Sequence, residues 1–201
     1  ADELSRCRRK VINADSVERV RGIEGDAATY YFGVFPHLIL NQKESFVFKG
    51  RNRRPPKDAV NAMLSFVYTL ISNDVTAALE TVGLDPYVGF MHALRPGRPS
   101  LALDIMEELR AYLGDRLVLS LINRKQITGN QFLQQGDESI IMTDDARRTI
   151  ISAWQARKKE QIQHPFLNEK VSIGLLPHIQ AMMLARYLRN DLDDYPVFLI
   201  Q

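Results

Sequence analysis

The sequence predicts a mainly α protein: a compact multi-helix domain over residues 1–201 with one short β-hairpin near 131–142. Three observations predict it. Apolar residues recur three and four apart along most of the chain, the period of a helix with one buried face. Capping residues and glycines stand at the ends of those stretches. Only around Gly136 and Asp137, in FLQQGDESIIM, do two short apolar runs flank a turn signal as a hairpin requires.

Each element has its own justification. The opening ADELSRCRRK has helical character. Asp15 and Ser16 are N-cap candidates for a helix running to about Phe35, with Val17, Val20, Ala27, Ala28 and Tyr31 as its apolar stripe. Glu24 falls on that stripe, where a carboxylate must be paired, protonated or bound to a metal. Residues 41–56, NQKESFVFKGRNRRPP, read as a basic loop, and Pro55 and Pro56 favour a helix starting just after them. That helix carries Val60, Met63, Leu64, Val67 and Ile71. A break is expected near Asn73 and Asp74, and a further helical piece ends at Gly83 as a C-cap. A helix with Leu117, Val118, Leu121 and Ile122 inside follows residues 89–110. After the hairpin, Thr143 caps DDARRTIISAWQARKKEQIQ, whose acids come first and bases last, as the helix dipole favours. His164 and Pro165 interrupt it. Residues 173–190 read as a final amphipathic helix and 191–201 as an irregular tail.

The 201 residues are 45% hydrophobic and 25% charged, with a net charge of +2, an ordinary globular balance. That charge is too small to argue for nucleic acid, but it is clumped in RCRRK (6–10), RNRR (51–54), Arg147–Arg148 and RKK (157–159). One cysteine, Cys7, excludes an internal disulfide and a cysteine zinc cluster and fits a reducing compartment. No stretch reads as the about 20 apolar residues of a membrane span, and no signal peptide is visible. A cytoplasmic protein without a membrane partner is expected.

The chemistry concentrates in residues 89–110, GFMHALRPGRPSLALDIMEELR. Asp104 and Glu107 are three apart on a predicted helix and share a face. His92 precedes that helix across a Pro/Gly break, and Arg95, Arg98 and Arg110 lie nearby. Taken singly, His92 reads as a hydrogen-bonded core histidine, the acids as a solvated face and the arginines as solvated surface. Leu101, Leu103, Ile105, Met106 and Leu109 leave little of this helix to solvent, however. With Glu24, separated elements supply one imidazole and two or three carboxylates. That donor set suits a hard cation, Mg²⁺ or, with the imidazole, Mn²⁺. The arginines suit a phosphodiester substrate. Trp154 reads as core. His37, His164 and His178, lacking acidic partners at ligand spacing, read as structural or surface residues.

The segment GLDPYVGFMHALRPGRPSLALDIMEELR (83–110) resembles the signature of the CRISPR-associated integrases, the endonucleases that insert new spacers during adaptation. RGIEGDAATYYF (21–32), RNRRPPKDAVNAMLSFVYTLI (51–71) and PFLNEKVSIGLLPHIQAMMLARYLRNDLDDYPVFL (165–199) resemble that family too, in order. The resemblance implies insertion of spacer DNA into a CRISPR array by attack of a 3′-hydroxyl on a phosphodiester, dependent on Mg²⁺ or Mn²⁺. It places the metal on Glu24, His92 and Glu107, with Asp104 as a neighbouring catalytic acid. It implies a phosphate contact by Arg110; by their charge Arg95 and Arg98, with Arg51, Arg53 and Arg54 of the basic loop, are expected to contact the DNA as well. It implies spacer-precursor and repeat DNA, a homodimer and a small adaptation partner protein as partners. Met91 replaces the usual leucine, and Val67 stands where glycine is common. Family members usually carry an N-terminal β-rich domain with no counterpart in this sequence, so the resemblance is to the C-terminal catalytic domain. Two alternatives remain: an inactive helical DNA-binding fragment, and a structural domain pairing Glu107 with Arg110 or Asp104 with Arg98.

Overall fold

The computed structural model describes residues 2–136 and 139–200. It is mainly helical, and the chain divides into two compact units: Ala1–Met63 with Leu119–Thr143, and Leu64–Val118 with Asp144–Gln201.

The first unit begins with α1 (Asp2–Ile12) and α2 (Val17–Val34). Ser16 caps α2, its hydroxyl accepting from the Arg19 backbone N–H at 3.4 Å. Phe32, Phe35 and Phe48 form an aromatic cluster below it, with Phe35 fully buried. Asn123 ties the following segment down: its Oδ1 accepts from the Leu40 N–H at 2.8 Å and its Nδ2 donates to the Leu38 carbonyl at 2.9 Å. The hairpin predicted near 131–142 is present as β1 (Phe132–Gln135) and β2 (Ser139–Met142), antiparallel with Phe132 opposite Met142. Asp137, half of its predicted turn, lies outside the described residues. Phe132 packs edge-on against Phe46 at 5.6 Å.

Helix α3 (Ala59–Thr81) starts in the first unit and continues through the second. The break expected at Asn73–Asp74 does not occur. Val75 and Leu79 continue the stripe of Val60, Met63, Leu64, Val67 and Ile71, all with no exposed surface. Asp74 takes an ion pair with Lys158 at 3.0 Å instead of ending the helix. By length and composition alone α3 is long and apolar enough to cross a membrane. Half of that stretch is buried inside the protein, as in a core helix. Its end is as predicted: Gly83, at φ +79°, occupies the left-handed position of a Schellman motif, with Leu84 N–H bonding Leu79 O at 2.9 Å.

In the second unit α4 (Ser100–Leu109) runs into a π-helical turn, Arg110–Asp115; α5 (Arg116–Asn123) follows and carries the chain back into the first unit. Helix α6 (Asp144–Lys159) is shorter than predicted, because the chain leaves it to form β3 (Gln161–Gln163). That strand pairs antiparallel with β4 (Lys170–Ser172), a second hairpin where helix and interruption are expected from the sequence. The final helix is α7 (Leu176–Leu188), preceded by a 3₁₀ turn that uses up the first residues of the predicted 173–190 helix. The tail has no regular structure but is docked. Phe198 is buried against Tyr112 and His164, and its N–H donates to Glu108 at 2.8 Å.

Candidate active site

Asp104 organises the loop before α4. Its Oδ2 accepts from the backbone N–H groups of Phe90 (2.6 Å) and Met91 (3.0 Å). Its Oδ1 accepts from the His92 N–H (3.0 Å) and faces His92 Nδ1 at 2.6 Å. An ionised carboxylate has about four acceptor sites, so these donors saturate it. Asp104 therefore orients the loop and the imidazole and has no free oxygen lone pair for a second cation. It pairs with His92, not with Arg98. His92 keeps 21% of its side chain exposed while Asp104 keeps 9%.

The local sequence explains the arrangement. Gly89 passes so close to α4 that a Cβ there would lie 2.8 Å from Asp104 Oδ2 and from the Ser100 backbone and side chain. Only glycine lets the chain fold Phe90–His92 onto the carboxylate. The Pro86 carbonyl accepts from the Leu101 (2.9 Å) and Ala102 (3.2 Å) N–H groups, satisfying orphan donors at the α4 N-terminus. Ser100 Oγ donates to the Ala93 carbonyl at 3.0 Å and closes the far side of the loop.

Glu107, one turn on, is ion-paired with Arg110. Arg110 is only 14% exposed and lies over the Tyr68 ring, 5.1 Å from its centroid. The Tyr68 hydroxyl donates to buried Asp115 at 2.5 Å, and Gly114 packs against the same ring. The π turn thus brings Arg110, Gly114 and Asp115 onto one tyrosine. π-helical turns recur at functional sites. The predicted phosphate contact Arg110 is engaged inside the protein.

Glu24 differs from expectation. It is exposed on α2: Val20, Ala27, Ala28 and Tyr31 of the predicted stripe are half-buried, but Ile23, the helix's buried residue, turns inward in place of Glu24, and Val17 is exposed. Among the described residues no three His, Cys, Asp or Glu side chains are gathered closely enough to hold a metal.

The basic loop sorts its arginines. Arg51 donates to Asn61 Oδ1 at 2.7 Å, inside a network in which Asp58 caps α3 through the Asn61 N–H at 2.7 Å. Arg53 and Arg54 are exposed, as is Arg95, and Arg98 is half-buried. Trp154 is buried as predicted, and His164, for which the sequence left structural and surface roles open, is buried too.

Sequence reasoning missed the Glu108 network, because an acid beside Glu107 carries no distinct signal. Glu108 accepts from the Tyr195 hydroxyl (2.7 Å), Gln180 Nε2 (2.8 Å) and the Phe198 N–H. Burial pushes its carboxyl above the ordinary carboxylate range and raises the Tyr195 hydroxyl too. Burial lowers His164, whose Nδ1 accepts from the Phe166 and Leu167 N–H groups. Tyr68 and Gly89 were also unassigned.

The family model for CRISPR associated protein Cas1 matches residues 1–156. A curated relative, CRISPR-associated endonuclease Cas1 1 of Chlorobaculum tepidum, is 56% identical over 195 residues, covering 97% of this chain and 57% of the relative. The first two curated relatives are each spanned over 57% of their own length. A solved CAS1 protein from Thermotoga maritima superposes with a TM-score of 0.84 at 28% identity, covering 100% of this chain and 60% of that one. A chain in a structure titled Cas6-RT-Cas1–Cas2 complex superposes at 0.85 and 28% identity, covering 98% of this chain and 21% of that one. On the family match, the identity and the shared fold, the chain belongs to the CRISPR-associated Cas1 family.

Proposed function

We propose that this chain is the helical catalytic part of a CRISPR integrase, a metal-dependent endonuclease that joins DNA by 3′-hydroxyl attack on a phosphodiester. The observation that carries the reading is His92, held by Asp104 through Nδ1 at 2.6 Å. A metal-ligating histidine typically donates its other ring N–H to a carboxylate, which fixes the tautomer and raises ligand basicity. His92 and Glu107 fit a hard divalent cation by this chemistry, and the resemblance adds the exposed carboxylate of Glu24.

A bound Mg²⁺ or Mn²⁺ would polarise the phosphoryl oxygen and stabilise the attacking or leaving oxygen. Asp104 keeps the imidazole in one tautomer, which leaves Nε2 as the ring atom that would meet a cation. Arg110 offsets the charge of Glu107, with which it is paired. Arg95 and Arg98 offset phosphate charge beside the reacting bond, and Arg53 and Arg54 do so along the strand, without reading sequence. The same site gives hydrolysis when water is the nucleophile. The proposed partners are spacer-precursor and repeat DNA, a second copy of the chain and the small adaptation protein. A solved relative lies in an assembly whose title names Cas2, which supports the last.

The test is a cleavage and strand-transfer assay with Mn²⁺ on this chain and on a longer chain extended to the family's full length. Product from wild type and none from His92→Ala is expected. Stable DNA binding by both chains without cleavage, joining or disintegration would favour the inactive DNA-binding reading. A structural role for Glu107 is favoured by its Arg110 pair; unaltered metal binding in Glu107→Ala would support it.

A further inference from the structure

The chain beyond α7 turns back onto the second unit. Asn190 takes a left-handed φ of +61°, and the Asp191 N–H donates to the Arg186 carbonyl at 2.8 Å, so the reversal is built into the end of α7. The strap that follows is fixed to the end of α4 and to the π turn. The Tyr195 hydroxyl (2.7 Å) and the Phe198 N–H (2.8 Å) both donate to Glu108. The buried Phe198 ring lies edge-on to Tyr112, with centroids 5.9 Å apart. Gln180 on α7 joins the two sides. Its Nε2 lies 2.8 Å from Glu108 Oε2, 2.9 Å from the Tyr195 hydroxyl oxygen and 3.2 Å from the Pro196 carbonyl oxygen.

A tail that only covered the core would need Phe198 alone. This one directs two donors at the residue that follows Glu107 and packs on a residue inside the π turn. That turn is a rare backbone form, and packing holds it from two sides. Tyr68 lies against Arg110 and Gly114, and Phe198 lies against Tyr112, whose ring also carries the Arg116 and Arg157 guanidinium groups. Glu107 and Arg110 are interleaved in sequence with the strapped Glu108 and Tyr112, so the strap sets the angle at which they leave the helix. We propose that Tyr195–Phe198 is a positioning element of the site, which presents Glu107 to the divalent cation by holding Glu108 and Tyr112. The inference rests on the metal reading of Glu107 above, and it requires no contact between the strap and the cation.

The test is Mn²⁺ titration of the full chain, followed by the paramagnetic resonance of the free ion, beside a thermal melt of each protein. The proteins are wild type, Phe198→Ala, Phe198→Leu, Tyr195→Phe, Glu107→Ala and the double variant Phe198→Ala/Glu107→Ala. Phe198→Ala is expected to weaken binding about ten-fold. Tyr195→Phe, which keeps the ring and loses one donor to Glu108, is expected to weaken it less. Phe198→Leu, which keeps an apolar plug, is expected to restore most of the affinity. In the Glu107→Ala background Phe198→Ala is expected to change nothing, because the strap acts only through Glu107. Unchanged affinity in Phe198→Ala and Tyr195→Phe, with only the melting temperature lowered, would overturn this inference alone and leave the strap a structural cover. A further loss of affinity in the double variant would also overturn it, as the mark of general loosening. Should Phe198→Ala not fold, Tyr195→Phe with and without Glu107→Ala makes the same comparison. Failure of wild type to bind Mn²⁺ would overturn the metal reading itself, and this inference with it.

Discussion

His92 Nδ1 lies 2.6 Å from Asp104 Oδ1, and the same carboxylate accepts three successive backbone N–H groups. One side chain therefore sets both the path of the loop and the tautomer of the histidine. Asp104→Asn keeps the shape of the side chain but brings an N–H₂ group against the loop donors and weakens the hold on the ring. Metal affinity and strand transfer are expected to fall about 10- to 100-fold. Pairing calorimetry with kinetics checks whether both fall together.

Gly89 is the steric condition for that geometry. Gly89→Ala puts a methyl group 2.8 Å from Asp104 Oδ2 and the Ser100 backbone, with backbone on both sides unable to yield cheaply. A loss of about 1–3 kcal/mol is expected from overpacking. Urea denaturation measures it; an unchanged midpoint would show that the loop relaxes freely.

Tyr68→Phe keeps the ring under Arg110 and removes the hydroxyl that donates to buried Asp115. A hydrogen bond to a charged group contributes about 1.5–3 kcal/mol, so destabilisation in that range is expected. Tyr68→Leu removes the cation–π support of Arg110 too and should in addition alter metal affinity through Glu107. Denaturation and metal titration of both variants separate the two effects.

His164 provides a pH test. Its folded value lies below the ordinary 6.5, because burial disfavours the imidazolium. Protonating Nδ1 would also set a proton against two N–H donors. The neutral form's stability is fully present above 6.5 and is lost as pH falls through the lower folded value. Glu108, raised above 4.5, has the opposite slope: its contribution is present below that value and lost as pH rises. Because the two slopes oppose, the test is a difference: below pH 6.5 the melting temperature of wild type should fall relative to that of His164→Asn, which keeps only the Glu108 slope.

Arg53 and Arg54 are exposed, whereas Arg51 is bound into the Asn61 network. Arg53→Ala and Arg54→Ala should weaken DNA binding alike for all sequences and reduce the salt slope by about one unit each. Arg51→Ala should instead lower stability. Anisotropy titrations across salt concentrations, beside thermal melts, distinguish these outcomes.

The helices were legible because burial imposes a period: the α3 stripe from Val60 to Leu79 is written in the spacing of its apolar residues. Its continuity through Asn73 and Asp74 was not, since the Lys158 pair that accommodates Asp74 comes from 84 residues away. The β3–β4 hairpin was hidden for a related reason. QIQ and KVS are too short to show alternation, and their pairing is a tertiary fact. At the site, residue types and spacing singled out His92, Asp104 and Glu107. Their division of labour depends on which lone pairs are already taken, which spacing does not encode. Glu24 shows the converse error: Val20, Ala27 and Ala28 do face inward, but the place between them is taken by Ile23, and the neighbouring acid is exposed.

The central claim is that His92, oriented by Asp104, is a metal-ligating residue together with Glu107. Titration of the chain with Mn²⁺, followed by the paramagnetic resonance of the free ion, tests it most directly. Saturable binding by wild type, weakened at least about ten-fold in both His92→Ala and Glu107→Ala, is the predicted result. Affinity unchanged in both variants would contradict it.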